Sequence, residues 1–247
     1  MTWYYAIILG IVQGLTEFLP ISSSGHLVLA SHLLNIPQFP EFDLFLHLGT
    51  LFSVCLYYRK KLIELLKPPF NKLFLLIIAS LPAAILAIIF KESIKSTFTV
   101  QFLPIGFTIT ALFLVLSDVI NKGEQKPTLL SAFGAGVFQG LATLPGISRS
   151  ASTTFASLLF KVDKNEAVDF AFLMSVPIIF GGTVFAIPDV VNAEIPVIPT
   201  VLGVITSFIT GLISIKITLF IFKNNKARYF AYYLILISLL LLLFNVL

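Results

Sequence analysis

Residues 10–34 read GIVQGLTEFLPISSSGHLVLASHLL, an apolar run that is broken near its middle by Pro20 and three consecutive serines. A proline ends a helix at the residue before it, and a serine just after it is a good N-cap for a new helix. We therefore expect residues 3–34 to form two short helices joined by a polar elbow. Each helix, of about 14–16 residues, is short for a membrane span of ~20 residues. The predicted geometry is a re-entrant hairpin, which enters and leaves the membrane by the same face.

A second copy of this pattern follows at an offset of 126 residues. Residues 136–160 read GVFQGLATLPGISRSASTTFASLLF and match the first stretch at ten of 25 positions. Chance in such a composition would give roughly two or three identities. We therefore predict a second re-entrant hairpin over residues 129–160. The repeat also predicts two related halves, about residues 1–125 and 126–247, within a single integral membrane domain that covers residues 1–247.

The composition indicates an integral membrane protein. Hydrophobic residues make up 57% of the sequence and charged residues only 11%, against about 25% charged residues in soluble domains. The mean hydropathy of +1.00 agrees, and a water-soluble protein is excluded. Six uninterrupted apolar segments approach the ~17–25 residues that a membrane span requires. They cover residues 42–58, 72–90, 101–118, 167–187, 197–222 and 229–246.

The charges predict the topology of this all-α polytopic membrane protein. Basic residues concentrate in the loops at 59–72 and 223–228, which should be cytoplasmic, whereas the loop at 188–196 has only acidic charges and should lie outside. Both termini then lie outside. Each half has three full spans, an odd number, so the halves should have opposite orientations. The predicted architecture is an inverted repeat of six transmembrane helices and two re-entrant helix–loop–helix hairpins, with a site where the broken helices meet.

The net charge of +4 is modest and falls mostly in the short loops. This distribution is typical of membrane topology rather than of a nucleic-acid-binding surface. We therefore expect the lipid bilayer, and no nucleic acid, as a partner. The sequence leaves the oligomeric state open, and a homodimer is one of the assemblies it allows.

Two charged residues lie at the elbows. Glu17 precedes Pro20 by three residues, and Arg149 lies within the serine cluster of the second elbow. A charge deep in a membrane segment costs about 2.5–3.5 kcal/mol, so these residues are candidates for function. If the two elbows meet, Glu17 and Arg149 meet as well.

The elbows also have the chemistry of a phosphate site. Helices that begin near Ser22 and Ser148 would direct free N–H groups and positive dipole ends into one space. The Arg149 guanidinium is a planar fork suited to phosphate oxygens. Further hydroxyl donors come from Ser22, Ser23, Ser24, Ser148 and Ser150.

Proton transfer and cation binding have candidates too. His26 follows Ser22 by four residues and Ser23 by three, so it shares a helix face with both serines. A serine–histidine pair can act as nucleophile and proton carrier. Glu17 could hold a divalent cation, orient His26 or act as a base, and both Mg²⁺ and Ca²⁺ prefer oxygen ligands.

Simpler interpretations exist for all of these residues. A lone Glu–Arg pair can neutralise itself inside a helical bundle, and small Gly and Ser residues are ordinary packing devices between membrane helices. We expect packing or interfacial roles for His32 and His47, which lie off the elbow. Water or headgroups should solvate four charged residues near segment ends, namely Asp43, Asp118, Asp169 and Lys216.

The two elbows together resemble a known family. Residues 13–26, QGLTEFLPISSSGH, and residues 144–150, LPGISRS, are similar to the two signatures of the undecaprenyl-diphosphate phosphatases of the bacitracin-resistance type. The resemblance runs over essentially the whole chain. It implies hydrolysis of undecaprenyl diphosphate to undecaprenyl phosphate and inorganic phosphate at the outer face of the bacterial plasma (inner) membrane. It further implies a multi-pass enzyme that recycles the lipid carrier of peptidoglycan synthesis, supports cell shape and confers bacitracin resistance.

The resemblance also implies roles for individual residues and a divalent cation, Mg²⁺ or Ca²⁺. The implied catalytic residues are Glu17, Ser23, His26 and Arg149, with Glu17 as metal ligand. The expected substrate-binding residues are Ser22, Ser24, Gly25, Ser148 and Ser150. This chain departs from the family pattern at Gln13, where a second glutamate is frequent. A glutamine can offer a carbonyl oxygen but cannot act as a base. If the cation needs two carboxylates, its binding should therefore be weaker here.

Two questions stay open at this point, the identity of the attacking group and the class of protein. The attacking group is Ser23, His26 or a metal-bound water. The chain is an enzyme or, as the alternative, a transporter or flippase for a lipid phosphate, because inverted repeats with broken helices are common in transporters. A purely structural membrane subunit would show only stability effects when its elbows are mutated.

Overall fold

Helices form almost all of the described chain, which comprises residues 2–120, 123–188 and 195–244 of the computed structural model. The first half contains α1 (Trp3–Phe18), α2 (Ser23–Leu33), α3 (Pro40–Tyr57), α4 (Arg59–Leu65), α5 (Asn71–Ile89), α6 (Lys91–Ser96), a 3₁₀ turn (Val100–Phe102) and α7 (Leu103–Val119). The second half contains α8 (Leu129–Leu141), α9 (Arg149–Leu159), α10 (Lys164–Phe185), α11 (Val197–Lys223) and α12 (Arg228–Leu243). Within the described residues, extended pairing is limited to one isolated bridge between Gln125 and Val162. The prediction of an all-α fold is confirmed.

Four helical segments in the described part are long and apolar enough to cross a membrane. They are α5, α10, α11 and the segment Val100–Val119 that ends in α7. The other two predicted spans correspond to α3, with 18 residues, and α12, with 16 residues. The chain is therefore a multi-pass membrane protein. Most of the predicted outer loop at 188–196 and the end of the last span lie outside the described residues.

Both elbows occur where the proline and serine pattern predicts them. Helix α1 ends at Phe18, and α2 begins at Ser23 with Ser22 as its N-cap. Helix α9 begins at Arg149 with Ser148 as its N-cap. In both N-caps the serine hydroxyl accepts a hydrogen bond from a backbone N–H of the first turn, as N-cap serines generally do. The helix starts at residues 23 and 149 keep the repeat offset of 126 residues.

Glycines of the repeat allow two close helix pairs. A Cβ atom on Gly10 of α1 would lie 2.6 Å from the Gly203 carbonyl oxygen of α11. At the equivalent position of the other half, a Cβ atom on Gly136 of α8 would collide with the Ala79 carbonyl oxygen of α5. Small residues let membrane helices approach closely and gain van der Waals contact. Equivalent helices of the two halves thus pack through equivalent positions, α1 on α11 and α8 on α5.

The long helices that correspond in the two halves run antiparallel. Tyr58, just after α3, donates a hydrogen bond to Asp169 near the start of α10 at 2.7 Å, while the opposite end of α3 faces the end of α10. Helices α7 and α12 also run antiparallel, because Asp118 and Pro104 of α7 contact Arg228 and Ser238 of α12, respectively. Two halves of opposite orientation would give this arrangement.

One predicted location for a charge is wrong. Asp118 was expected to be solvated near a segment end, but its side chain is only 7% exposed. It accepts a hydrogen bond from Lys164 at 3.2 Å and lies 3.8 Å from the Arg228 guanidinium. The Lys164 ammonium also donates to Asn225 at 2.8 Å. These contacts tie the ends of α7, α10 and α12 together, so the buried charges of Asp118 and Lys164 have protein partners, while the Arg228 side chain is 55% exposed.

Candidate active site at the two elbows

The Glu17 carboxylate is the centre of the candidate site. It lies in the last turn of α1, and the residue is 7% exposed. Its Oε1 atom accepts a hydrogen bond from the Arg149 guanidinium at 2.5 Å. Its Oε2 atom accepts hydrogen bonds from Ser23 at 2.5 Å and from Gln13 at 3.0 Å. The expectation that Glu17 and Arg149 meet if the elbows meet is therefore fulfilled in the structure.

The two elbows touch at Ser22, Gly25 and Gly146. The Ser22 hydroxyl accepts a hydrogen bond from the Gly146 amide of the other elbow at 3.1 Å. Gly146 has a φ of +86°, and a Cβ atom on it would lie 2.9 Å from the Gly106 Cα atom of α7. A Cβ atom on Gly25 would lie 2.8 Å from the Gly146 amide nitrogen. A side chain at Gly25 would push the two elbows apart, and a side chain at Gly146 would push the second elbow away from α7, so both glycines are required for this packing.

An open cavity of about 290 Å³ lies beside the Glu17 carboxylate. Its polar lining comprises Glu17, Ser22, Ser23, Ser24, His47, Thr143, Ser148, Arg149 and Thr183. Its remaining lining comprises Leu44, Ala142, Ile147, Ile178, Ile179 and Gly182. The N-terminal ends of α2 and α9 both open on this cavity, and helix N-termini attract anions. The cavity is therefore lined by two helix N-termini, which suit an anion, and by several apolar side chains.

Ser23 is the hydroxyl group best placed for chemistry. It begins α2, lines the cavity and donates to a carboxylate oxygen at 2.5 Å. A hydroxyl in hydrogen-bond contact with a potential base is the usual arrangement of an activated nucleophile. The base in contact with Ser23 is Glu17, not His26.

His26 points away from the cavity. Its Nδ1 atom contacts the Ser22 carbonyl oxygen at 2.7 Å, and its Nε2 atom contacts the Tyr233 hydroxyl of α12 at 3.0 Å. The ring packs between Phe107 and Tyr233, with ring centroids at 5.1 Å and 5.8 Å. Shared helix-face spacing with Ser23 thus does not produce a serine–histidine hydrogen bond among the described residues.

The other expected substrate-binding residues divide into two groups. Ser22, Ser24 and Ser148 line the cavity. Ser150 instead bonds the Ser148 hydroxyl at 3.2 Å and contacts the Leu19 carbonyl oxygen at 3.5 Å, which places it between the elbows. Gly25 likewise lies at the contact between the elbows.

His47 is the residue that sequence reasoning missed. It was expected to have a packing or interfacial role, but it lines the cavity, and its Nε2 atom lies 3.6 Å from Glu17 Oε2. Its Nδ1 atom contacts the Asp43 carbonyl oxygen one turn earlier on α3, at 2.8 Å. The available signal was a histidine in the first half of a span, where an ionisable side chain is a candidate functional residue.

The side chains around Glu17 could bind a metal ion only together with a bound phosphate group. In the described part of the chain, no group of three or more His, Cys, Asp or Glu side chains could hold a metal ion by itself. Among the described residues, the carbonyl oxygen of the buried Gln13 side chain has no hydrogen-bond partner, while the amide nitrogen of the same side chain donates to Glu17. Mg²⁺ typically uses one or two carboxylates together with substrate phosphates and waters. Glu17, which lines the cavity, fits that mode of binding, whereas Gln13 is fully buried and does not line the cavity.

One protein family and several curated relatives match this chain over nearly its full length. The family model of bacitracin resistance protein BacA matches residues 6–240. An undecaprenyl-diphosphatase of Methanococcus vannielii is 39% identical over 249 aligned positions, which cover 96% of this chain and 98% of the relative. Undecaprenyl-diphosphatase 4 of Bacillus thuringiensis is 39% identical over 243 positions, with 94% and 93% covered. An undecaprenyl-diphosphatase of Alkaliphilus metalliredigens is 36% identical over 275 positions, with both chains fully covered.

Proposed function

The chain belongs to the bacitracin resistance protein BacA family, and from this we infer that it is an undecaprenyl-diphosphatase. It hydrolyses undecaprenyl diphosphate to undecaprenyl phosphate and inorganic phosphate. The observation that carries the assignment to this site is the Glu17 carboxylate, which contacts both Ser23 and Arg149 beside a cavity with two helix N-termini.

The cavity suits both parts of this substrate. The diphosphate is strongly anionic, and the Arg149 fork and the N-terminal ends of α2 and α9 would bind its oxygens. The polyprenyl chain is apolar, and Ile147, Ile178 and Ile179 line the adjoining wall. A lipid with a polyprenyl chain of this length stays in the bilayer, so an enzyme embedded in the membrane can reach both its headgroup and its chain.

The proposed reaction begins with attack by Ser23. Its Oγ atom forms a bond to the terminal phosphorus while the bond from that phosphorus to the bridging oxygen breaks. The electron pair leaves with undecaprenyl phosphate, and the Ser23 proton passes to Glu17 Oε2, its partner at 2.5 Å. Water then attacks the phosphoserine, inorganic phosphate leaves, and the proton on Glu17 returns to the Ser23 oxygen.

Arg149 has two functions in this scheme. In the free protein its guanidinium pairs with Glu17, and its other terminal nitrogen contacts the Ala171 carbonyl oxygen at 3.5 Å. A guanidinium has five N–H donors, so it can bind a phosphate oxygen while it keeps the contact with Glu17. It would stabilise the charge that develops on the transferring phosphoryl group.

We propose a divalent cation, Mg²⁺ or Ca²⁺, as cofactor. Glu17 would hold it together with the diphosphate, and the unpaired carbonyl oxygen of Gln13, one helical turn earlier, is a further candidate ligand. When bound, the cation neutralises part of the negative charge of the diphosphate.

We further propose that the enzyme lies in the bacterial plasma membrane with its site open to the extracytoplasmic side, in an inverted-repeat architecture. The basic loop after α3 and the predicted outer loop after α10 support this orientation. Cys55 is the only cysteine, so a Cys55→Ser background allows single-cysteine labelling in whole cells. Ser24→Cys at the cavity should react with a membrane-impermeant maleimide from outside, and Lys61→Cys only after permeabilisation. The reverse pattern would contradict the proposed orientation.

Product analysis tests the activity itself. Purified protein in detergent should convert undecaprenyl diphosphate to undecaprenyl phosphate and inorganic phosphate in equal amounts. Movement of intact undecaprenyl diphosphate between vesicle leaflets without hydrolysis would instead support the transport alternative, which the names of the relatives do not favour.

A further inference from the structure

We propose that Tyr233 is a positioning residue of this site, which acts through His26 on the Ser22 backbone and so holds the two elbows together. The proposal rests on the proposed phosphatase function for its kinetic consequences, but its geometry is independent of that function. It assigns a role to a tyrosine that lies on the last described helix, α12, outside the two elbows.

Donor and acceptor chemistry fixes the direction of the hydrogen bonds. The Ser22 carbonyl oxygen can only accept, so the His26 Nδ1 atom, at 2.7 Å, must carry a hydrogen and donate it. In a neutral imidazole the other nitrogen, Nε2, is then an acceptor. The Tyr233 hydroxyl at 3.0 Å donates to it. The chain of hydrogen bonds therefore runs from Tyr233 through His26 to Ser22.

The ring contacts hold His26 in this orientation. The Tyr233 ring stacks on the imidazole at an interplanar angle of 9°, and Phe107 of α7 packs against the imidazole at 51°. Helices α7 and α12 thus clamp the histidine from two sides. Both ring nitrogens have partners within the described structure, so neither is free to attack phosphorus or to carry a substrate proton.

This chain of hydrogen bonds ends at Ser22. Its φ is +71°, in the left-handed region that a non-glycine residue rarely adopts. Such a conformation persists only when the surroundings hold it, and the Ser22 carbonyl accepts from both the backbone amide and the side chain of His26. The Ser22 hydroxyl in turn accepts from Gly146, across the contact between the elbows.

The position of the Ser22 backbone affects catalysis through Ser23, the next residue in the chain. The Ser23 hydroxyl must stay within hydrogen-bond distance of Glu17. A small shift of the Ser22 backbone would move Ser23 relative to Glu17 and to the phosphorus. Misplacement of a reacting group lowers the rate of the chemical step more than substrate binding.

A first set of variants separates positioning from catalysis. In Tyr233→Phe, kcat should fall about three- to tenfold, the effect of losing one neutral hydrogen bond, while KM changes little. Tyr232→Phe is the matched control, since Tyr232 precedes Tyr233 on the same helix and is 61% exposed. Its kinetics should match those of the wild type. A Tyr233→Phe variant with wild-type kcat would overturn the proposal.

A second set tests His26 itself. An asparagine at position 26 can place an N–H donor near the former Nδ1 atom, whereas a glutamine places its amide near Nε2. His26→Asn should therefore keep more activity than His26→Gln. Adding Tyr233→Phe to His26→Asn should cost nothing further, because the two substitutions remove the same chain of contacts. Equal inactivity of both His26 variants, or a labelled phosphohistidine, would show a catalytic histidine and contradict the proposal.

A measurement that needs no activity keeps the proposal testable if phosphate release is not observed. The chain has three histidines, so ¹⁵N NMR of the protein in micelles can resolve His26 after substitution of His32 and His47. The expected signals are those of a neutral imidazole with hydrogen on Nδ1, and Tyr233→Phe should shift the Nε2 resonance. Hydrogen on Nε2 instead, or no response to Tyr233→Phe, would contradict the geometry. Loss of the proposed phosphatase function alone would leave these signals unchanged.

Discussion

Glu17 Oε1 and the Arg149 guanidinium lie 2.5 Å apart, although 132 positions separate the two residues in the chain. Their side chains are 5% and 12% exposed. Each belongs to one of two broken helices, so the ion pair exists only when both elbows are in place. The same carboxylate also contacts Ser23. The contact between the two elbows is therefore part of both the fold and the candidate site.

Glu17→Gln should strongly lower kcat and weaken the fold. An amide cannot take the Ser23 proton, and loss of a proton acceptor costs about 10²- to 10⁴-fold in rate. The substitution also leaves the Arg149 charge without its partner, and breaking a buried ion pair on one side costs ~3–5 kcal/mol. Phosphate release and thermal unfolding in detergent measure the two effects. Normal kcat in Glu17→Gln would exclude Glu17 as the base.

Ser23→Ala should lower kcat at least about a hundredfold, because removal of a nucleophile leaves only the rate supplied by binding and charge stabilisation. Ser31→Ala is the matched control, since Ser31 is a buried serine two turns later on α2 and does not line the cavity. Brief incubation with substrate labelled at the terminal phosphorus should label the wild type and the control but not Ser23→Ala. A fully active Ser23→Ala variant would favour direct attack by water.

The pattern of the elbows could be recognised because it is local. Pro20 followed by serines, and the repeated cluster around Arg149, predict helix ends and starts within a few residues, and the structure has them there. The chemistry of Glu17 and Arg149 followed from the cost of a charge in a membrane segment. Their contact followed only conditionally, because nothing in either stretch of sequence states that the elbows touch.

What could not be predicted depends on helices that pack side by side. His47 lies 30 residues after Glu17, yet the packing of α3 places it 3.6 Å from that carboxylate. Tyr233 reaches His26 across 207 positions through α12. The 3.6-residue period suggested that His26 faces Ser23, but the packing of α2 against α7 and α12 turned the imidazole away. Tertiary contacts decide these positions, and no local pattern specifies them.

Gly182→Leu should obstruct the cavity. Gly182 lines it, whereas Gly181, the residue before it on α10, does not, and a Cβ atom on either glycine meets no other atom within 4 Å. Both substitutions should therefore be tolerated by the fold, with a similar gain in helix propensity. We expect kcat/KM for undecaprenyl diphosphate to fall about tenfold or more in Gly182→Leu and to stay unchanged in Gly181→Leu. Equal kinetics for the two variants would place the lipid elsewhere.

Gln13→Glu should strengthen cation binding. The substitution would place a second carboxylate one helical turn before Glu17, where the Gln13 amide now donates to it at 3.0 Å. Two adjacent carboxylates repel one another unless a cation or proton lies between them. We expect half-maximal activity at a lower Mg²⁺ concentration than in the wild type. Added Mg²⁺ should also raise the melting temperature of the variant more than that of the wild type. An unchanged Mg²⁺ dependence would show that the residue at position 13 does not take part in cation binding.

The most direct test of the central claim is steady-state phosphate release from undecaprenyl diphosphate by the purified protein, with Mg²⁺ or with EDTA. The wild type is compared with Arg149→Lys, which keeps the charge but loses the planar fork, and with Lys61→Gln, which removes an exposed cation paired with Asp169 at the opposite end of α3. We predict Mg²⁺-dependent release that falls sharply in Arg149→Lys and persists in Lys61→Gln. Release that is equal in Arg149→Lys and wild type, or no release from folded wild-type protein, would contradict a phosphatase site at the two elbows.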